Sequence, residues 1–197
     1  MKLDRNFYFQ SALTAAVELL GTYLVRNISG HSVISKIVET EAYCGPEDKA
    51  CHACNNRRTK RTETMFMEGG HAYVYLIYGL NHCLNIVTER KDIPHAVLIR
   101  AVEPVQGIDI IKNNRQLIKS VHDLTNGPGK LTKALGIDMD LNGYDMVEGS
   151  ELFIEKGLPL KRSAIVKTAR VNIDYAGEYR DRPWRFYIKD NPFVSRK

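Results

Sequence analysis

Two carboxylates and a tyrosine alternate at Glu39, Glu41 and Tyr43, and Glu47, Asp48 and His52 follow closely. In a strand, residues two apart share a face, so Glu39, Glu41 and Tyr43 would point the same way. A carboxylate near a strand end, beside an aromatic ring and shortly before a histidine, suits general base catalysis. The competing reading is an exposed edge strand with solvated carboxylates. Further along, Tyr73 and Tyr75 share a face and Tyr78 has the opposite parity. Gly79 permits a turn there, which puts Tyr78 at a hairpin tip while Tyr75 faces the body. Tyrosines are good stacking platforms for bases, although they are also ordinary strand residues.

Two other motifs resolve less sharply. Cys51-His52-Ala53-Cys54 has C-x-x-C spacing, but a structural zinc site needs four ligands. Cys44 and Cys83 do not form a second pair. The H-x-E with P-C-x-x-C pattern of nucleobase deaminases is missing too. Buried or idle thiols, with no metal, are the expectation. Gly127-Pro128-Gly129-Lys130 resembles a phosphate loop but fails its test. Leu124 stands where the first glycine belongs, and Leu131 replaces Ser or Thr. What remains is a glycine-rich turn opening a helix. Gly127, Gly129 and Lys130 could hold a phosphate there, or simply start the helix.

The elements that must position these groups follow from periodicity. Ser11 reads as the cap of a helix through Leu20, with Gly21 to stop it. The period then shortens to two. Thr22–Asn27, a Ser29-Gly30 turn and Ser32–Tyr43 read as a hairpin with a long second arm. Strands are expected at Ala72–Tyr78, His82–Thr88, His95–Val102, Leu152–Glu155, Ile165–Val171 and Trp184–Lys189. Helices are expected at Gly107–Ile118 and Lys130–Leu135. Neighbouring strands joined by short turns imply antiparallel pairing, hence an α+β fold rather than a doubly wound sheet.

Composition sets the outer limits. The 197 residues are 44% hydrophobic and 26% charged, which excludes a disordered chain or a coiled coil. No run reaches the 18–20 or so apolar residues that span a bilayer. The opening MKLDRNFYFQ lacks a signal peptide's apolar stretch. A cytoplasmic protein without a membrane partner is expected, and the resemblance described below would make it nucleoid-associated. The net charge is +5. Eleven basic and four acidic residues lie from Lys156 to Lys197, and Arg57, Arg58, Lys60 and Arg61 form a second basic knot. A polyanionic partner fits this distribution, as does a basic solvated surface.

Taken together, these residues resemble one family. Ile37-Val38-Glu39-Thr40-Glu41-Ala42-Tyr43, then Gly45-Pro46-Glu47-Asp48, Ala50 and His52, are similar to the alkyladenine (3-methyladenine) DNA glycosylases of mammalian type. The likeness continues through Met65-Phe66-Met67, Tyr73-Val74-Tyr75, Ile77-Tyr78-Gly79, Cys83, Asn85-Ile86, Leu98, Arg100-Ala101 and Glu103-Pro104. It ends with Gly127-Pro128, Lys130-Leu131, Ala169-Arg170-Val171, Ala176-Gly177-Glu178 and Arg185-Phe186-Tyr187. The ordered set spans nearly the whole chain.

The resemblance implies a single catalytic domain over residues 1–197. That domain is a mixed α+β fold around a curved antiparallel sheet flanked by helices, a topology shared with formyltransferase C-terminal domains. It implies a monomer without a cofactor that flips damaged purines out of double-stranded DNA and hydrolyses their N-glycosidic bond. Glu41 matches the general base. Arg100 and the Val171 carbonyl match groups that help hold the attacking water. Tyr43, His52 and Tyr75 match the pocket walls, and Leu98 belongs to the same pocket. Asn85 matches the position that disfavours guanine's exocyclic amine, and Tyr78 matches the intercalating wedge. Arg57, Arg58 and the Gly127–Lys130 turn would contact the DNA backbone. The alternatives are a non-catalytic nucleic-acid-binding module and a formyltransferase-like domain. The latter predicts no purine-sized pocket between Tyr43 and Tyr75.

Overall fold

A computed structural model of the chain describes every residue except 78, 117, 119 and 197. Four α-helices, α1 (Arg5–Tyr8), α2 (Ala12–Glu18), α3 (Ile108–Arg115) and α4 (Pro128–Ala134), and several short 3-10 turns accompany eight strands among the described residues. The strands are β1 (Tyr23–Ile28), β2 (His31–Cys44), β3 (Ala72–Ile77), β4 (Asn81–Thr88), β5 (His95–Gln106), β6 (Leu152–Glu155), β7 (Ile165–Thr168) and β8 (Arg185–Ile188). All pairings between them are antiparallel. The fold is α+β with one open sheet in the order β3-β4-β5-β2-β1-β6.

Strand β2 is the centre of this sheet. One edge pairs along its length with β5. Its other edge is shared: residues 31–36 pair with β1, and Glu39–Glu41 pair with β8. The exposed-edge reading of Glu39 and Glu41 is therefore overturned, because both lie in a strand paired on each side and are fully buried.

Strand alternation separates two faces. Val74, Leu84, Ile86, Val97, Ile99 and Ala42 belong to the main core, where they meet Ala12, Ala15 and Ala16 of α2 and Leu131 and Ala134 of α4. At roughly 1.5–3 kcal/mol for each fully buried large aliphatic chain, this layer supplies much of the driving force. The intervening residues Tyr73, Tyr75, Asn85, Leu98, Glu41 and Tyr43 face the other way.

Several local signals were well placed. The Ser11 side chain accepts from the Thr14 N–H at 3.2 Å and caps α2. Gly21 adopts φ +83, which suits a residue without a Cβ and ends that segment. Helix α3 stops at Arg115, short of the expected Ile118, as Gln116 turns to φ 28. The expected strand Ile165–Val171 ends at Thr168 because residues 169–171 leave the sheet for contacts described below. The Tyr78 position at the β3–β4 hairpin lies outside the described residues.

Candidate active site

One row of cross-strand partners carries the centre of the site. Tyr73 pairs with Asn85, Asn85 with Leu98, Leu98 with Glu41, and Glu41 with Arg185. Directly opposed residues present their side chains to the same face. Four strands thus bring Tyr73, Asn85, Leu98 and Glu41 together. The register slips between Glu39 and Thr40, which leaves Arg100 of β5 without a partner of its own on β2. Such a bulge re-aims a side chain. Arg100 Nε lies 3.2 Å from Glu39 Oε1, and its Nη1 lies 3.3 Å from Glu41 Oε2.

Both Glu41 oxygens are engaged. The Val171 N–H donates to Oε1 at 2.8 Å, and the Tyr43 hydroxyl donates to Oε2 at 2.9 Å. Burial, reinforced by the neighbouring Glu41 charge, raises Tyr43 well above the usual phenol range. Tyr43 therefore remains a donor at neutral pH.

Glu39 has a different environment. Arg185 donates to its Oε1 at 2.7 Å, and the Ser195 N–H and hydroxyl add bonds at 2.6 and 2.9 Å. With Arg100 it forms a buried carboxylate held by two guanidinium groups. A buried charge needs this degree of pairing. Glu39 ties the C-terminal segment to the sheet and holds Arg100 beside Glu41.

A second buried pair positions Val171. Arg170 Nη1 and Nη2 meet the two Asp48 oxygens at 2.5 and 2.8 Å, both side chains being fully buried. Asp48 also accepts from the Cys44 and Ala50 N–H groups. Arg170 additionally donates to the Ala42 carbonyl at 2.9 Å, and its guanidinium lies 4.8 Å from the Tyr43 ring centroid. The loop after β7 is thereby fastened to the segment after β2, which delivers the Val171 N–H to Glu41.

Above this floor is a cleft of about 470 Å³ bounded by Tyr43, His52, Tyr75, Leu98, Arg100 and Val171. A smaller recess of about 40 Å³ opens onto Asn85, Met65 and Tyr73. The His52 and Tyr75 rings meet edge to face at 4.7 Å, and His52 Nδ1 lies 2.9 Å from the Tyr73 hydroxyl. Burial, aided by the Arg61 charge, lowers His52 to about 4, so its ring is neutral at pH 7. Asn85 Nδ2 donates to the Tyr73 carbonyl at 3.2 Å. The cleft can therefore present aromatic faces to a flat ligand above a carboxylate–guanidinium pair.

The structure gathers Arg100, Val171, Tyr43, His52, Tyr75, Asn85 and Leu98 at this cleft and its recess, with Glu41 fully buried behind Arg100, Val171 and Tyr43. The other expected residues lie around it. Arg58 is held by Glu63 and Asp92 at 2.6 and 2.8 Å. Arg57, with Lys49 and Arg61, lines a neighbouring groove of about 410 Å³ that also touches His52. Gly127 caps α4 and Gly129 packs on Asn81. Lys130 Nζ lies 2.7 Å from Asn126 Oδ1. The four cysteines are free thiols, and burial pushes Cys51 up to about 12. Among the described residues, no group of three or more His, Cys, Asp or Glu is placed to hold a metal ion. Among those residues, no helix is long and apolar enough to cross a membrane.

Sequence reasoning missed four participants. Asp48 was noted as part of a polar cluster, but its partner Arg170 lies 122 positions away. Tyr73 was read as a strand tyrosine and Arg61 as one member of a basic knot. Tyr175 carried no signal of its own. It is 70% exposed and stands at the rim of the cleft, the recess and the basic groove.

An antiparallel sheet with a buried carboxylate–arginine pair beneath aromatic walls defines an α+β protein with a hydrolase-type site. The chain belongs to the methylpurine-DNA glycosylase family, whose model matches residues 6–192. It is similar to proteins provisionally named 3-methyladenine DNA glycosylase in several organisms. The relative from Natranaerobius thermophilus is 52% identical over 196 residues, covering 99% of each chain. That from Alkaliphilus oremlandii is 51% identical over 204 residues, covering 100% of each. That from Borreliella burgdorferi is 47% identical over 196 residues, covering 99% of this chain and 100% of its own. The family is one of hydrolytic DNA glycosylases that serve in DNA repair.

Proposed function

We propose that the whole chain acts as one catalytic domain, a monomer on double-stranded DNA, that removes alkylated purines such as 3-methyladenine and 7-methylguanine. The observation that carries this reading is Glu41 fixed by Arg100, the Val171 N–H and Tyr43 beneath the cleft. The damaged nucleotide is extruded into that cleft, at a cost that is lowest for a weakly stacked or damaged base. An alkylated purine is cationic, and the faces of Tyr43 and Tyr75 attract a cation. Its charge also makes it a good leaving group.

The water oxygen bonds to C1′ as the C1′–N9 bond breaks, and its electron pair departs with the purine. Glu41 accepts the proton that the water loses. Arg100 and the Val171 backbone help hold that water. The products are a free base and an abasic strand, and the reaction uses no amine nucleophile. Arg57, Arg58 and the Gly127–Lys130 turn contact the phosphates, and Asn85 disfavours a purine with guanine's exocyclic amine. A cleft of about 470 Å³ with both Tyr43 and Tyr75 in its lining favours this reading over a formyltransferase-like domain.

The test is incubation of the protein with methylated duplex DNA, followed by chromatography of released bases. Free 3-methyladenine, with the strand intact until alkali is added, is the expected result. Tight binding without base release would leave a nucleic-acid-binding module instead.

A further inference from the structure

The segment after β8 takes no part in the hydrolysis described above, yet it packs against the carboxylate that holds Arg100. The Ser195 N–H donates to Glu39 Oε2 at 2.6 Å and its hydroxyl to Oε1 at 2.9 Å, across 156 positions of sequence. Oε1 also receives Arg185 Nη1 at 2.7 Å and Arg100 Nε at 3.2 Å. Among the described residues, the Ser195 N–H is the one hydrogen-bond donor at Oε2.

Contacts on both sides place Ser195. Phe193 is buried with Val38 and Ala101, the residues next to Glu39 and Arg100. Its N–H donates to Asn191 Oδ1 at 2.9 Å, and Asn191 Nδ2 donates to Glu103 Oε2 at 2.9 Å. Beyond Ser195, the Arg196 carbonyl accepts from Arg185 Nη1 at 2.8 Å.

This geometry governs how Arg100 can be aimed. A guanidinium is planar, and its N–H groups diverge in a fixed fork. With Nε on Glu39 and Nη1 on Glu41, the plane is set by two carboxylates, and the remaining N–H groups are left for the cleft that Arg100 lines. Glu39 is a fixed anchor only while its own carboxylate cannot turn. The Ser195 N–H holds Oε2 and so keeps Oε1 toward Arg100. Released from Ser195, the carboxylate is free to turn both oxygens to Arg185, the bidentate pairing that guanidinium groups favour. Arg100 then keeps Glu41 alone, and its plane is no longer defined.

We propose that Ser195 is a positioning residue for base release, acting through Glu39 to fix the Arg100 guanidinium beside Glu41 and the attacking water. The inference rests on the glycosylase reading and deepens it, because it makes the segment after β8 part of the apparatus that holds the water.

Single-turnover release of 3-methyladenine from methylated duplex DNA tests this, with affinity for the same DNA measured in parallel. Ser195→Thr keeps both donors and should match wild type. Ser195→Ala keeps only the N–H and should slow release roughly threefold, and Ser195→Pro, which keeps neither, at least roughly tenfold. DNA affinity should stay the same throughout. In an Arg100→Lys background, where an ammonium cannot set a plane between two carboxylates, the Ser195→Ala change should cost less than about 1.5-fold. Proton exchange at Arg100 Nε–H, assigned by its loss in Arg100→Lys, should be faster in Ser195→Ala than in wild type. Wild-type rates in both Ser195→Ala and Ser195→Pro, an equal loss in the Arg100→Lys background, or unchanged exchange would each overturn the proposal and leave the glycosylase reading standing. Failure of wild type to release the base would overturn the glycosylase reading and the proposal with it.

Discussion

The Val171 N–H donates to Glu41 Oε1 at 2.8 Å across 130 positions of sequence. Glu41 sits in the central strand, whereas Val171 lies just beyond β7 in a segment that has left the sheet. What brings them together is the adjacent Asp48–Arg170 pair. One of the contacts that fix the carboxylate is therefore held in place by residues that do not touch it.

Removing that pair should separate its two effects. Asp48→Ala leaves the Arg170 guanidinium buried without a counter-charge, which costs about 3–5 kcal/mol. Urea denaturation of the variant should show a loss of that order. Base release should also fall in protein that remains folded, because Val171 is no longer delivered to Glu41. A loss below about 1 kcal/mol would mean that the clamp is not structural.

Glu39 and Glu41 should respond differently to the same change. Glu39→Gln removes the charge that neutralises Arg185 and Arg100, so a stability loss of about 2–4 kcal/mol is expected. Its folded fraction should keep far more excision activity than Glu41→Gln. Equal loss of activity in the two variants would assign the chemistry to the pair as a unit.

The turn before α4 offers a steric test. A Cβ on Gly129 would stand 2.8 Å from Asn81 Cβ, closer than two such atoms approach. Overpacking of this kind costs roughly 1–3 kcal/mol. At Gly127 the nearest atom to an added Cβ is 3.7 Å away, and its φ of 166 is extended backbone open to any residue. Thermal unfolding should place Gly129→Ala well below wild type and Gly127→Ala close to it.

Stability should fall on mild acidification. His52 is lowered to about 4 by burial and the Arg61 charge, against 6.5 in the unfolded chain. Between these values the unfolded state binds a proton that the folded state does not. The stabilisation is therefore complete above about pH 6.5 and is lost as pH falls toward 4, by roughly 3 kcal/mol. Burial lowers His95 as well, which adds in the same direction. Denaturation midpoints from pH 7 to 4 should decline less steeply in His52→Gln than in wild type.

Most of the sheet was legible because alternation and turn residues announce strands locally. Leu152–Glu155 begins and ends as read, and Ser11 and Gly21 mark the helix they flank. Glu41 and Tyr43 could be paired from their spacing alone. Asn85 and Leu98 could not, because their place depends on register across three strands. Asp48 and Arg170 were invisible as a pair for another reason. Hydropathy assigns charged residues to the surface, and only tertiary structure shows a charge neutralised in the interior. The early end of β7 has the same origin, since nothing local shows that Arg170 is drawn toward Asp48.

The most direct measurement compares wild type with Glu41→Gln for base release from methylated duplex DNA, with binding to the same DNA measured in parallel. Gln is close to Glu in size and keeps an acceptor for the Val171 N–H, but it takes no proton from water. The account predicts free 3-methyladenine from wild type, a fall of at least roughly a hundredfold in Glu41→Gln, and similar DNA binding by both. Equal base release from the two proteins would contradict it.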